Sequence, residues 1–511
     1  MSPENTSVDG IAGVFILYYL LFVYSEKLFN YFVVFVVISL SIYFPIYLAY
    51  GSLNSGIVSA FLETNIDESF SFLKKLELSS LAFPIIFIYF SFILMKLKKY
   101  SGIDRNHQDK KQKVLNFSLI LVLLLIVFYA PTRFYFNSED KADDQPWTLA
   151  NSPINILSFY FNIYDSFSDY YKEKRELEQA STLPPPWQII SSSPKYKNYV
   201  LVIGESMRKD YLSTYGFKLP TSPFLDNTKG YINEGYISAA PATYHSLLHT
   251  LYFRKDEKSK IDYSYNIITL AKAAGIQTSW ISNQGSLGRY DTVASRIGSS
   301  ANTTIFTKKG GFNTAQVDDS KLLELFKQEI VKQSEKSQSR LFILHLMGSH
   351  QVFCDRLTEQ DERLEFINKT MSCYVSSILK TDKLIGEIVS TLKEQGESYS
   401  LIYFSDHGLS HINRETKDEI ALDYEPKFKQ SYQVPFFKIS SDDKERNIVN
   451  VKRSAFNFIF GFAQWLGIKS TELNNDYDFF SDIDDKNIKV FNFEKMVNFD
   501  ELEQDKIPEL K

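Results

Sequence analysis

Three nearly uncharged runs constrain this chain more than anything else in it: Tyr31–Tyr50 (YFVVFVVISLSIYFPIYLAY), Leu81–Leu97 (LAFPIIFIYFSFILMKL) and Val114–Ala130 (VLNFSLILVLLLIVFYA). Each is close to the roughly 20 residues that cross the hydrocarbon of a bilayer. Ile11–Tyr24 is shorter. Extended by Val8–Gly10 it makes a fourth span, or a helix that enters part way; no basic segment precedes it as in a cleaved signal peptide. Residues 1–131 are therefore expected to form an α-helical transmembrane bundle of four spans.

Charge orients that bundle. Lys96, Lys98, Lys99, Arg105, Lys110, Lys111 and Lys113 crowd the connection between the last two spans, whereas the segment before Ile11 carries Glu4 and Asp9. Basic loops stay on the cytoplasmic side. Gly51–Ser80 and everything after Pro131 are then expected outside the cytoplasm. The net charge of −5 gives no basic surface for a nucleic-acid backbone, so no nucleic-acid partner is expected. Cys354 and Cys373, both on the oxidising side, are expected to form a disulfide.

Between spans, Val58, Phe61, Leu62, Phe70, Leu73 and Leu76 recur as an amphipathic helical face. A similar pattern, with Ile154, Leu157, Phe161, Tyr164, Phe167 and Tyr171, predicts an interfacial helix within Phe134–Ala180, and LPPPW at Leu183–Trp187 ends it. Residues 132–194 thus read as interfacial helix and linker, and 195–511 as the water-soluble domain. There, strand-like runs (Tyr199–Ile203, Thr278–Ser282, Leu341–Leu346, Leu401–Phe404) alternate with helical stretches (Asn266–Ala274, Lys321–Lys332, Ser376–Lys393). That rhythm predicts an α/β sandwich, a sheet with helices on both faces. The acidic end, with Asp476, Asp478, Asp482, Asp484 and Asp485, reads as solvated surface.

Two of the strands end in chemistry. YVLVIGES places Glu205 at a strand end, and LIYFSDHG places Asp406 and His407 at another, about two hundred residues later. Ligands in open α/β sheets gather at the carboxyl ends of strands, so the three are expected to share one divalent metal. Three protein ligands leave a position for an oxygen nucleophile or substrate. Ser206 and Thr243 are the candidate hydroxyls. Thr243, after Pro241, begins the helix-like TYHSLLHTLYF, where free N–H groups favour an alkoxide or phosphate; an ordinary N-cap is its plain alternative. In HLMGSH, His350 is a candidate proton carrier, while His345 is equally a structural histidine. His245 and His249 stand four apart on one helix, a weak metal signal; His411 is a candidate second-site or substrate contact.

VLVIGES, the PAT turn, WISNQ at Trp280–Gln284, HLMGSH and YFSDHG together resemble the bacterial membrane-bound phosphoethanolamine transferases of the alkaline phosphatase and sulfatase superfamily. The resemblance covers nearly the whole chain and extends to LETNIDES, where Thr64, Asn65 and Glu68 match a Thr-Asn-x-x-Glu stretch that faces the active site. It implies an alkaline phosphatase/sulfatase-like catalytic domain in the periplasm, anchored in the inner membrane. It assigns zinc to Glu205, Asp406 and His407 and makes Thr243 the nucleophile, with Thr64, Asn65 and Glu68 toward the substrate; Thr243 is counted with the metal set, and His345 and His411 are further candidate substrate contacts. A second zinc or manganese in its place fits the same donors. The implied donor is phosphatidylethanolamine, and the implied acceptor is lipopolysaccharide, at an inner-core sugar or lipid A, or another envelope glycan. A monomer is expected.

Two features depart from that family. It has five spans where four are counted here, and its Arg-Tyr-Pro after the HxxGSH motif is reduced to Arg356-Leu357. A phosphoglycerol transferase or phosphodiesterase with an equivalent metal site is the runner-up. Sulfatase chemistry would need a C/S-x-P-x-R motif, which neither cysteine context supplies, and a non-enzymatic scaffold is at odds with the full set Glu205, Thr243, Asp406 and His407.

Overall fold

The structure is a computed structural model and describes residues 8–50, 53, 58, 82–97, 110–136, 152–182, 185–254, 262–285, 292–308, 317–332, 338–493 and 495–508. The chain divides into two compact units, Met1–Lys172 and Glu173–Lys511.

The first unit is helical: α1 (Val8–Tyr24), α2 (Glu26–Tyr50), α3 (Ala82–Leu97), α4 (Lys110–Phe136) and the start of α5 (Asn155–Thr182). Glu26–Pro45 and Lys110–Phe128 are long and apolar enough to cross a membrane, whereas the apolar parts of α1 and α3, Gly10–Tyr24 and Ala82–Ile93, are shorter. At about 1.5 Å per residue, α3 reaches only about 24 Å of the roughly 30 Å needed. Of the four expected spans, two therefore have full length among the described residues. Val36, Ile154 and Ile156 form a small buried core with Val14, Leu17, Phe32, Leu40, Leu123 and Ile126 around it. Ile42, Leu125 and Phe128 instead face outward, each more than 60% exposed, as side chains do that meet lipid. Ser39, the polar group inside α2, donates to the Phe35 carbonyl at 2.7 Å and lies 2.6 Å from the Tyr160 hydroxyl, so it is satisfied.

The expected interfacial helix is shifted. Phe134 to Phe136 belong to α4, and α5 starts only at Asn155, after the Ser152 hydroxyl accepts from the Ile154 amide. Among the described side chains, Ile156, Phe159, Ser166 and Tyr170 are its buried positions, while Tyr164 and Tyr171 of the expected stripe are exposed. Aromatic residues lie on more than one side of α5, so spacing alone does not choose the packing face.

The second unit is built on an eight-stranded sheet of β1 (Asn198–Gly204), β2 (Gly230–Asn233), β3 (Gln277–Gly285), β4 (Thr303–Lys308), β5 (Arg340–His345), β6 (Tyr399–Ser405), β7 (Phe436–Ser440) and β8 (Arg446–Val449). The order is β8-β2-β7-β6-β1-β5-β3-β4, and only β7 runs against its neighbours. Alternate residues of the central strands feed two cores. Val200, Val202, Phe342, Leu344, Leu401 and Tyr403 pack with residues of α9 (Ser320–Lys332) and α10 (Lys369–Glu394). Tyr199, Leu201, Ile203, Leu341, Ile343, Ile402 and Phe404 pack on the other face with α6 (Thr243–Leu251), α7 (Ile267–Ala273), α8 (Thr292–Ser299) and α11 (Phe458–Leu466). Both faces are covered, which is why these strands read as continuous apolar runs.

The expected strands and helices of this domain are present; β3 runs on to Gly285, past the expected Ser282, and the largest shift is at α10. α10 starts at Lys369, not near Ser376, because the Asn368 side chain caps it by accepting from the Met371 amide at 2.9 Å. Asp485 also differs from its expected surface role. Its carboxylate faces the buried Arg453 and accepts from the Ser454 amide at 2.8 Å and the Tyr477 hydroxyl at 2.7 Å.

Cys354 and Cys373 are bonded, with Cα atoms 4.9 Å apart, tying the short helix Phe353–Arg356 to the start of α10. Closing this loop restricts the unfolded chain, worth roughly 3 kcal/mol in the chain-entropy account. Replacing both cysteines with serine is expected to lower the thermal midpoint by several degrees while metal content is retained. Native protein with two alkylatable thiols under denaturing, non-reducing conditions would contradict the bond.

Candidate active site

β1 and β6 are adjacent and parallel, with Gly204 registered against Ser405. The next residue on each strand is therefore Glu205 on one and Asp406 on the other, side by side at the carboxyl edge. Ligand atoms of Glu205, Asp406 and His407 all lie within 4.8 Å of one another, and all three side chains are buried. The turn is built for this. Ser206 adopts a left-handed conformation (φ 56°), and its amide donates to Asp406 Oδ1 at 3.1 Å. His407 Nδ1–H donates to the Gly408 carbonyl at 2.8 Å, which turns Nε2 toward Glu205, 3.2 Å from its Oε1. Gly348 in HLMGSH (φ 49°) crosses so close that a Cβ there would lie 2.9 Å from the Glu205 nitrogen. Only glycine permits that approach.

Thr243 is the first residue of α6. Its hydroxyl lies 3.2 and 3.1 Å from the two Glu205 oxygens and 3.2 Å from His407 Nε2. One turn on, the Ser246 hydroxyl donates to the Asp406 carbonyl, so α6 is pinned to the same turn it serves. The N-cap of α6 is Ala242, so Thr243 is not the helix's capping residue. The Ser206 hydroxyl donates to Glu205 Oε1 at 2.7 Å.

Asp406 Oδ2 is buried without a hydrogen-bond partner. An orphaned carboxylate oxygen is costly unless a cation or proton meets it. Burial, and then the Glu205 charge, pushes Asp406 up to about 8. Burial also opposes charge on His407, but the Asp406 and Glu205 carboxylates outweigh it and lift the imidazole to about 9. Burial works against Glu205 as well, yet its bond to His407 and that group's charge hold it below the usual carboxylate range. Protons thus occupy the cluster where a divalent cation would displace them. Two carboxylates, one imidazole and the Thr243 hydroxyl form a donor set that fits a metal.

A sequence model of the family described as Sulfatase matches residues 197–468. Phosphoethanolamine transferase OpgE of Escherichia coli strain K12 is 34% identical over 454 residues, 88% of this chain and 82% of that protein. The chain belongs to the sulfatase-family phosphoethanolamine transferases. Its fold is shared with the zinc-complexed C-terminal periplasmic domain of EptC from Escherichia coli (TM-score 0.52, 20% identity, 63% of this chain and 98% of that one). It is shared too with the integral membrane protein lipooligosaccharide phosphoethanolamine transferase A from Neisseria meningitidis (TM-score 0.51, 15% identity, 87% and 86%). Both show an alkaline phosphatase-like α/β domain, and the second also covers the helical N-terminal region.

The other predicted site residues of this transferase are placed differently from one another. His350 sits beside the cluster; its Nδ1 meets the Gln351 carbonyl, its Nε2 is 3.4 Å from the Tyr424 hydroxyl, and burial lowers its pKa. His345, fully buried, keeps Nδ1 3.2 Å from the Ser282 hydroxyl and leaves Nε2 without a partner; burial pulls it down to about 4. His411 is engaged on both ring nitrogens, by Asp505 at 2.8 Å and the Tyr211 hydroxyl at 2.6 Å. His245 and His249 pack against Phe491, and His249 stacks on Phe456. Neither is in the metal cluster. Thr64, Asn65 and Glu68 lie outside the described residues.

Two neighbours went unassigned in the sequence. Gln284, at the end of β3, donates to Glu205 Oε2 at 2.9 Å and to the Leu346 carbonyl at 3.0 Å, which orients the carboxylate. Its position in WISNQ, a run ending at a strand's carboxyl edge, was the available signal. Tyr424 gave none, because it lies in a polar loop with no spacing to mark it.

Proposed function

We propose that the transferase takes phosphoethanolamine from phosphatidylethanolamine and passes it, by way of Thr243, to lipopolysaccharide or another envelope glycan. The observation that carries this reading is the Thr243 hydroxyl at the start of α6, within 3.2 Å of both Glu205 and His407. Glu205, Asp406, His407 and Thr243 would hold zinc, whose charge supplies a lowered hydroxyl pKa and stabilisation of a phosphoryl group. Thr243 Oγ attacks phosphorus, the bond to the diacylglycerol oxygen breaks, and diacylglycerol leaves with a proton. An acceptor sugar hydroxyl then attacks the phosphothreonine, gives up its proton and restores Thr243. His350, with Nδ1 turned to a backbone carbonyl, presents Nε2 as the group that carries these protons. The N–H groups that open α6, where Thr243 is the first residue, would meet the same anionic group.

The experiment is mass spectrometry of lipopolysaccharide and soluble envelope glycans from cells with and without this chain, alongside diacylglycerol release by purified protein. Loss of phosphoethanolamine from one glycan, with zinc-dependent diacylglycerol release, is expected. Unchanged glycans and no release would refute the reading.

The catalytic domain is placed in the periplasm, with the chain anchored in the inner membrane, on the basic Lys96–Lys113 connection. A cysteine at Ser138 is expected to react with a membrane-impermeant thiol reagent in intact spheroplasts, and one at Gly102 is not. The reverse labelling pattern would overturn this topology.

A further inference from the structure

Tyr424 follows the short strand Ala421–Asp423, which pairs antiparallel with Ser410–Ile412 directly after the Asp406-His407 turn. Its ring centre lies 5.2 Å from that of His407, and its hydroxyl is 3.4 Å from His350 Nε2 and against the Ser206 side chain. The phenol therefore stands over the polar floor formed by Glu205, Ser206 and His407, while Thr243 reaches the same floor from α6. Three bonds hold it there. Gln351 Nε2 donates to the Leu422 carbonyl at 2.7 Å and to Asp423 Oδ1 at 3.2 Å, and the Tyr424 backbone amide donates to the same Asp423 oxygen at 2.8 Å. Asn368 ties the preceding loop to the cap of α10 through the Ile420 carbonyl at 2.8 Å.

We infer that Tyr424 contacts substrate in this transferase, its hydroxyl donating a hydrogen bond to a non-bridging oxygen of the phosphoryl group in transfer. The inference rests on the reading that Thr243 receives that group. A phenol held by backbone anchors needs no rearrangement as charge builds on the phosphoryl oxygens, and preorganised donors of this kind are among the larger catalytic effects. A wall residue that only packs on His407 would need the ring and not the hydroxyl.

Tyr424→Phe keeps the ring and removes the donor, so it separates the two roles. With the full chain in detergent and p-nitrophenyl phosphoethanolamine as donor, kcat is expected to fall on the order of 100-fold. KM, zinc content and thermal midpoint should stay near those of the parent. On a phosphorothioate donor the parent should slow more than the variant, because only the parent has a hydroxyl contact to lose. A kcat within about threefold of the parent, a loss confined to KM, lost zinc or an unchanged thio effect would each overturn the inference. The aryl donor keeps the tests apart: failure of the parent on phosphatidylethanolamine alone strikes the proposed lipid donor and leaves the Tyr424 comparison readable.

Discussion

Thr243→Ala is expected to lower donor cleavage by at least about 1,000-fold and to remove the phosphoethanolamine mass adduct from the protein. The size follows from geometry. Thr243 Oγ1 touches both Glu205 oxygens and His407 Nε2, so in the proposed mechanism its loss takes away the attacking atom and one donor of the metal set together. Glu205, Asp406 and His407 remain, and Gln284 still orients Glu205, so zinc should bind more weakly without being lost. Ser206 is the test of specificity. Its hydroxyl also meets Glu205, at 2.7 Å, but no bond joins it to His407, and its amide already serves Asp406. Ser206→Ala is expected to keep both the adduct and most of the activity. An adduct mapped to Ser206, or an active Thr243→Ala protein, would refute the assignment.

The difference between these two hydroxyls shows what the linear sequence holds and what it does not. VLVIGES and LIYFSDHG were legible as buried strands ending in polar candidate ligands, since an apolar run closed by polar residues marks a strand end wherever it lies. That the two strands are neighbours, with Gly204 beside Ser405, is a pairing across about two hundred residues, which no local pattern encodes. Thr243 was legible as a helix start, but its distance to Glu205 depends on Ser246 docking α6 onto the Asp406 carbonyl. β2, β4, β7 and β8 went unread because they are short and lie in segments without clean alternation. The acidic C-terminal stretch misled in one respect. Composition describes the average residue there, whereas Asp485 and Asp505 are the members that meet buried arginines.

Asp505 yields the second large effect, on stability. Its carboxylate pairs with the fully buried Arg208, accepts from the His411 amide and ring at 2.8 Å each, and meets Arg414. Arg208 stands three residues after Glu205, and His411 four after His407, so the Asp505 carboxylate joins the two turns that carry the proposed metal ligands. Replacing Asp505 with alanine leaves Arg208 buried with only Asp210 to answer its charge, at 2.6 Å. Breaking such a pair costs about 3 kcal/mol or more. Burial works against the Asp505 carboxylate, but the His411 bond and the Arg208 charge outweigh it and hold its pKa down at about 2. A depressed carboxyl stabilises the fold fully above its unfolded value near 4 and loses that contribution as pH falls through about 2. A shift of that size is worth on the order of 2 kcal/mol. Asp505→Asn is therefore expected to lower the thermal midpoint by several degrees at pH 6, and the gap from the parent should narrow steadily from pH 5 to pH 2. A gap that is constant across that range would show that the charge of Asp505 contributes nothing and that only its hydrogen-bonding shape matters.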